Sequence, residues 1–241
     1  MLEGKTAVIY GGGGSIGGAV ARAFAREGAR VHLTGRTLAS VAPLAEEIGA
    51  EAAEVDALDE RAIDAHAGAI GAIDISFNAI THGDVQGTPM HEMDVEDYLR
   101  PVATAVRSTF LTMRAAARSM IAHGGGTILI FGGEGDPPRG YNLGGLQTAF
   151  HALEAMRRQL SVELGAHGVR VVTLRSGGVP ESLPAGFEGR EAIAKSLEEA
   201  TLLGRAATLE DVGNAAVVAA SKWGRTMTGA TLNVSCGTLL D

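Results

Sequence analysis

The sequence predicts an α/β protein in which helices cover both faces of a parallel sheet. Short apolar runs alternate with segments of helical periodicity along the whole chain, a pattern typical of parallel sheets flanked by helices. Hydrophobic residues make up 46% of the 241 residues and charged residues 20%, which indicates a folded globular chain. Glycine contributes 34 residues without a collagen-like period, so we expect many glycines at tight turns and close backbone approaches.

Short apolar runs predict the strands, and the segments between them predict the helices. The predicted strands are residues 7–10, 31–34, 52–55, 73–77, 127–131, 170–174 and 232–234. The predicted helices are residues 16–27, 38–48, 60–70, 95–122 and 143–164. Thr37 is expected to cap the second helix, and Gly28 and Gly49 to end the first two. The irregular stretch 176–189 follows the sixth strand and is a candidate lid over the sheet's carboxyl edge.

Charge and cysteine content limit the classes of partner. The chain has 20 Lys and Arg against 28 Asp and Glu, a net charge of −8, which argues against nucleic acids and anionic membranes as partners. The single cysteine, Cys236, cannot form an internal disulfide and favours a reducing compartment. We find no membrane span, signal peptide, internal repeat or linker. We therefore expect one domain, residues 1–241, in the cytoplasm.

A glycine-rich segment, residues 11–18, follows the first strand and leads directly into the first helix. Glycines in this position allow a sharp turn and a close approach to a pyrophosphate, whose charge the free N–H groups of the helix stabilise. This context favours a dinucleotide site over a flexible loop. The predicted contacts are Gly11, Gly14, Ser15, Ile16 and Gly17.

The second strand ends at Gly35-Arg36-Thr37. Proteins that bind NAD carry an acidic residue near this point, which binds the ribose 2′-hydroxyl, whereas Arg36 offers a cation for a 2′-phosphate. The sequence therefore favours NADP(H) as cofactor, with a solvated surface arginine as the alternative interpretation.

These motifs resemble those of the short-chain dehydrogenase/reductase family, and the resemblance covers the whole chain. Tyr10, Gly11, Ser15 and Gly17 occupy the fixed places of the family's Thr-Gly-x-x-x-Gly-x-Gly loop, although Tyr10 and Ser15 depart from it. Four further segments match. Val55-Asp56-Ala57 matches the adenine-contacting pair, Phe77-Asn78-Ala79-Ile80 matches the segment after the fourth strand, and residues 204–212 and 228–234 match the C-terminal motifs.

The resemblance implies a Rossmann-type, doubly wound three-layer α/β/α sandwich with seven parallel strands in the order 3-2-1-4-5-6-7. It also implies an oxidoreductase that binds a nicotinamide cofactor and acts on a small molecule. The additional cofactor contacts that it implies are Asp56, Ala57, Asn78, Ala79 and Ile80. Family membership further suggests a homotetramer or homodimer, assembled through the long fourth and fifth helices and the last strand.

The family's catalytic residues are Asn, Ser, Tyr and Lys, and this sequence keeps none of them in the aligned places. Those places are taken by Ala105, Gly133, Leu146 and Phe150. The separation of 13 residues between Gly133 and Leu146 equals the family's Ser-to-Tyr interval, which supports the alignment.

A check without alignment gives the same result. None of the three tyrosines, Tyr10, Tyr98 and Tyr141, is followed four residues later by a lysine. The usual mechanism, in which a lysine lowers the pKa of a tyrosine on the same helix face, is therefore excluded.

Several side chains are candidates for a different proton donor. Tyr141, five residues before Leu146, is the first choice, with Arg139 as its nearest cation in the sequence. A tyrosine that caps a hydrophobic cluster is an equally good interpretation. His151, Glu134 and Asp136 are weaker candidates, and Glu181 is expected to face, and repel, the diphosphate. The histidines lack the spacing of metal ligands, so we infer no metal site.

Three functions remain open at this point. The first is an NADP(H)-dependent oxidoreductase in which a non-standard group, or water, protonates a carbonyl or alkene substrate. The second is a catalytically retired NADP(H) binder that acts as a sensor, partner subunit or scaffold. The third is a non-redox isomerase or lyase that uses Tyr141, His151 or Glu134 in the same cleft. The sequence does not identify the substrate.

Overall fold

The strands form one sheet, in which every neighbouring pair is parallel. The computed structural model describes residues 1–133, 135, 140–187 and 189–240. The strand order is β3-β2-β1-β4-β5-β6-β7. The strands are β1 Thr6–Tyr10, β2 Arg30–Gly35, β3 Glu51–Glu54, β4 Ile75–Asn78, β5 Gly126–Gly132, β6 Val169–Arg175 and β7 Ala230–Asn233. The structure thus confirms the predicted fold and strand order.

Helices connect successive strands and form the two outer layers. They are α1 Ser15–Arg26, α2 Ala42–Ile48, α3 Glu60–Ile70, α4 Val95–His123, α5 Gly145–Leu164, α6 Arg190–Glu199 and α7 Leu209–Ala220. Short 3₁₀ turns lie at Leu38–Ser40, Gly165–His167, Pro180–Ser182 and Lys222–Gly224. Within the described ranges, no helix is long and apolar enough to cross a lipid bilayer.

The sheet separates two hydrophobic cores. In β1, Ile9 packs into the core shared with α1, α2 and α7, whereas Val8 and Tyr10 pack into the core shared with α3, α4 and α5. This alternation follows from the two-residue period of a strand. Because both faces are covered, β1 is buried along its whole length.

The second helix begins later than predicted. Thr37 precedes the 3₁₀ turn Leu38–Ser40, and its side chain makes no capping hydrogen bond. Ser40 instead donates its hydroxyl to the Thr37 carbonyl at 2.7 Å. Val41 is fully buried after this turn, and α2 begins at Ala42. The tertiary packing of Val41 therefore overrides the local capping signal.

The sequence analysis did not predict α6 and α7. None of the α6 residues is buried, so its apolar stripe is short and was not recognised as a core-facing helix. The N-terminus of α7 does carry a signal: Thr208 and Asp211 form a capping box. The predicted loop 176–189 is irregular in its described part, apart from the turn at Pro180–Ser182.

Candidate functional site

The loop between β1 and α1 has the geometry of a phosphate cradle. Gly11 has φ +79°, and a side chain there would approach the Ala79 carbonyl oxygen to 2.7 Å. A side chain at Gly17 would clash with the Gly11 carbonyl. Gly14, which precedes α1, provides no side-chain cap, so the first N–H groups of the helix remain available to an anion. Ser15, the first residue of α1, is exposed at this end.

The segment after β4 closes one side of this cradle. Asn78 donates its amide to the Thr112 hydroxyl at 3.1 Å, and its side-chain oxygen accepts from the Ile80 backbone N–H at 2.9 Å. The Ala79 N–H donates to the Tyr10 carbonyl. Asn78 thus connects α4 to the backbone that contacts Gly11. The structure therefore brings together the predicted residues Asn78, Ala79, Ile80 and the glycine loop.

The predicted adenine end lies at the carboxyl ends of β2 and β3. Arg36 is exposed, and no hydrogen bond or ion pair joins its side chain to the described part of the chain. The Asp56 carboxylate accepts from the Leu58 N–H at 2.9 Å, and Ala57 is buried beside it. Glu54, the acid nearest in sequence to Asp56, accepts from the Leu38 N–H at 3.2 Å. Within the described residues, the guanidinium group of Arg36 therefore has no partner.

A cavity of about 540 Å³ extends from this cradle along the carboxyl edge of the sheet. Ile16, in the first turn of α1, lines it together with Gly132 and Gly133 at the end of β5. The segment after β6 and helix α6 form the opposite wall. The phosphate cradle and the cavity therefore share Ile16.

Three of the four places aligned by resemblance, Gly133, Leu146 and Phe150, line this cavity. Ala105 is fully buried in α4. Leu146 and Phe150, both on α5, line the cavity. A side chain at Gly133 would lie 3.0 Å from the Phe150 ring. The Phe150 ring thus packs close to the Gly133 backbone.

Tyr141 is the one tyrosine that lines the cavity among the described lining residues. Its hydroxyl donates to the Ser196 hydroxyl of α6 at 3.2 Å. The Tyr98 hydroxyl instead forms a 2.8 Å hydrogen bond with the Thr148 hydroxyl. Tyr10 is fully buried in the core, and burial, reinforced by the Asp64 carboxylate, raises its pKa far above the ordinary value. Tyr10 is therefore unsuited to donate a proton.

Gln147 and Ser196 are two of the polar side chains of the cavity wall that the sequence pattern did not reveal. The Gln147 amide donates to the Gly133 carbonyl at 3.3 Å, at the place that the resemblance aligns with the family's serine. Its position next to Leu146 in the sequence was the signal that could have revealed it. Ser196 had no such signal, because α6 was not predicted.

His82 is a further missed residue and lies behind the cavity wall. Its ring packs edge-on against Phe150, with the ring centroids 5.8 Å apart. Burial lowers the pKa of His82, and the nearby Asp84 carboxylate offsets only part of this effect. The histidine is therefore neutral near pH 7.

The remaining candidates lie elsewhere. His151 is exposed, is absent from the cavity lining, and its Nδ1 is 2.8 Å from the Gln147 carbonyl oxygen. The Glu181 carboxylate accepts from the Leu209 N–H at 2.7 Å, so it binds the N-terminus of α7. Glu134, Asp136 and Arg139 lie outside the described residues.

A doubly wound sheet with a glycine cradle at its carboxyl edge defines a dinucleotide-binding α/β protein. The model of the family described as "Enoyl-(Acyl carrier protein) reductase" matches residues 12–238. The chain belongs to the short-chain dehydrogenase/reductase family, which makes it an oxidoreductase by class.

Named relatives cover almost the whole chain. Momilactone A synthase from Oryza sativa subsp. japonica is 32% identical over 98% of this chain and 90% of its own length. An NADH-dependent enoyl-[acyl-carrier-protein] reductase from Rhizobium meliloti is 33% identical over 98% and 91%. A solved structure from Beutenbergia cavernae, described as a gluconate 5-dehydrogenase with bound NADP, is 29% identical with a TM-score of 0.86 over 98% and 97% of the two chains. Members of the family therefore bind both kinds of nicotinamide cofactor.

Proposed function

We propose that the protein is an NADP(H)-dependent oxidoreductase that reduces a carbonyl or alkene group of a small molecule held in the cavity. The observation that carries this proposal is the residue that the two sites share: Ile16 belongs to the phosphate cradle and also lines the cavity. A dinucleotide with its pyrophosphate at the N-terminus of α1 would extend its nicotinamide end toward Gly133 and Phe150. When bound, NADPH supplies a hydride to the substrate.

The preference for NADP(H) rests on Arg36. Its exposed guanidinium group lies just beyond β2, where the family places the adenosine ribose, and has no partner among the described residues. An arginine can bind a phosphate through two charge-assisted hydrogen bonds. The 2′-phosphate of NADPH would gain this interaction, whereas the 2′-hydroxyl of NADH would not.

Tyr141 is the proposed proton donor. Its hydroxyl lies at the cavity wall, so it can give a proton to the oxygen or carbon of the substrate that becomes electron-rich after hydride transfer. Ser196, bonded to it at 3.2 Å, orients the phenol. The usual Tyr-Lys pair does not contribute, because the chain contains no tyrosine followed four residues later by a lysine. Protonation by water is the alternative route.

Self-assembly into a homodimer or homotetramer is also proposed. The long helices α4 and α5 expose large apolar side chains, among them Phe110 at 51% and Val162 at 82% relative exposure. Burying such side chains between copies would remove apolar surface from water. We also propose a cytoplasmic location, since Cys236 is a free cysteine.

Family membership favours the oxidoreductase over the other two hypotheses, the retired binder and the non-redox isomerase or lyase. The test has two parts. NADPH and NADH are titrated by fluorescence, with NADPH expected to bind more tightly. NADPH consumption is then measured on a panel of uncharged ketones and enones. Turnover on any panel member supports the proposal. Tight NADPH binding with no turnover across the panel would favour the retired binder, and equal affinities would overturn the proposed cofactor preference.

A further inference from the structure

We propose that the cavity selects an uncharged, largely apolar substrate and rejects carboxylates and phosphates of the same shape. This inference rests on the proposed function in one respect: it takes the cavity beside Gly133 as the substrate site. It goes further by naming the chemical class that the walls accept.

The described part of the cavity wall carries no charged side chain. Its polar side chains are all neutral, and they are Gln86, Tyr141, Gln147, Ser176, Ser182, Ser196 and Thr238. A carboxylate that left water for this cavity would lose its hydration without gaining a cation from the described part of the wall. Such transfer is strongly unfavourable unless the charge is paired.

The apolar part of the wall is contributed by separate elements that face one another. Leu146 and Phe150 come from α5, and Ile193 and Leu197 come from α6. Leu183 adds apolar surface from the segment between β6 and α6. A volume of about 540 Å³ lies in the range of pockets that enclose small organic ligands. These walls therefore favour an apolar body over a sugar or a polyol.

The neutral polar groups define where the polar end of such a substrate would bind. Tyr141 and Ser196 form a hydroxyl pair on one side of the cavity. Gln147 contributes an amide beside Gly133. Such groups suit a carbonyl or hydroxyl oxygen, and an apolar body would extend along α5 and α6. Ligands of this kind combine one polar end with a hydrocarbon chain or ring.

The experiment compares three probes that differ only at the far end of one chain: 2-decanone, 9-oxodecanoate and the methyl ester of 9-oxodecanoate. Calorimetric titration into the full chain, with and without NADPH, measures binding without requiring turnover. We expect 2-decanone and the methyl ester to bind, and the carboxylate to bind more weakly by on the order of 100-fold.

A charge-insertion variant and a matched control sharpen the test. Ile193→Lys places an ammonium on the wall of the cavity, on a helix without buried residues. We expect it to weaken 2-decanone binding and to strengthen 9-oxodecanoate binding. Leu202→Lys adds the same charge at a position that is 75% exposed and outside this cavity. It should leave the order of the three affinities unchanged.

Three results would overturn the inference. The first is that 9-oxodecanoate binds the wild type as tightly as the neutral probes or more tightly. The second is that neither neutral probe binds. The third is that Ile193→Lys leaves the order of the three affinities unchanged. The outcome is separable from that of the proposed function. Turnover with anionic substrates alone would refute the selectivity and leave the oxidoreductase standing. Selective binding of the neutral probes without any turnover would support the selectivity and refute the oxidoreductase activity.

Discussion

The phosphate cradle and the cavity lie side by side at the carboxyl edge of the sheet, but they are built in different ways. In the cradle, backbone geometry decides what fits: Gly11 and Gly17 leave no room for a side chain, and helix N–H groups face the ligand. In the cavity, side chains from α5 and α6 decide what fits. The cradle therefore depends on glycine, whereas the cavity changes its chemistry with each substitution.

This difference predicts that the cradle tolerates few substitutions, whereas the cavity wall tolerates many. A substitution in the cradle blocks the ligand or displaces a backbone segment. Leu146 and Phe150, by contrast, are accommodated because they continue an apolar face of α5. The variants that follow test the two regions separately.

The largest effect is expected in the cradle. Gly17→Ala places a methyl group against the Gly11 carbonyl and should weaken NADPH binding at least about 100-fold, as judged by fluorescence titration. Gly68→Ala is the matched control: it also lies within a helix, and a side chain there meets nothing within 4 Å. Control and wild type should bind NADPH alike.

Ser15→Asp tests the cradle by a change of charge at an exposed position. Ser15 is exposed, and an acidic residue in the first turn of α1 stabilises the helix. The same carboxylate would repel a pyrophosphate, so NADPH affinity should fall while the melting temperature holds or rises. Undiminished NADPH affinity in this variant would place the pyrophosphate elsewhere.

Tyr141→Phe tests the cavity. If the phenol donates the proton, the single-turnover rate of ketone reduction should fall by about 100-fold. The affinity for NADPH should not change, because Tyr141 lies at the cavity wall rather than in the cradle. Tyr98→Phe, which removes a hydroxyl bonded to Thr148 outside the cavity, is the control. An unchanged rate in Tyr141→Phe would indicate that water, and not Tyr141, donates the proton.

Arg36→Ala should have a smaller effect, confined to one cofactor. Hydrogen bonds to charged groups contribute about 1.5–3 kcal/mol, so NADPH affinity should fall by about 10-fold or more. NADH, which lacks the 2′-phosphate, should bind as before and serves as the internal control. Equal losses for both cofactors would indicate a structural role for Arg36.

The smallest effect is expected from pH. Burial lowers the pKa of His82, so the folded protein favours the neutral ring. Below about pH 6.5 the unfolded chain therefore binds more protons than the folded chain. The contribution of His82 to the free energy of unfolding is present above that pH and is lost as the pH falls. His82→Gln should therefore show a flatter decline in melting temperature between about pH 7 and 5 than the wild type. Parallel profiles would contradict this assignment.

The sequence predicted the parts of the molecule that backbone geometry or burial dictates. The glycine loop was identifiable because only glycine fits at Gly11 and Gly17. The strands were identifiable because both faces of the sheet are covered, which requires near-continuous apolar runs. Asn78 was found through family resemblance, and the structure adds the reason: it joins α4 to Ile80.

The parts that escaped prediction depend on contacts between distant segments. Ser196 could not be recognised because α6 has no buried face, although the helix supplies a cavity wall. The role of Glu181 depends on the N-terminus of α7, 28 residues later in the chain. His82 is linked to the cavity only because Phe150, which lines the cavity, packs against its ring. Periodicity and motif spacing carry no information on such pairs.

A crystal structure with NADPH bound would show most directly whether the glycine loop 11–17 delivers the cofactor to the apolar wall formed by Leu146 and Phe150. We predict the pyrophosphate at the N-terminus of α1, the 2′-phosphate beside Arg36, and the nicotinamide ring against Leu146 and Phe150 with the Tyr141 hydroxyl facing the substrate space. A nicotinamide ring ordered away from Leu146 and Phe150, or a pyrophosphate that does not contact the loop 11–17, would contradict it.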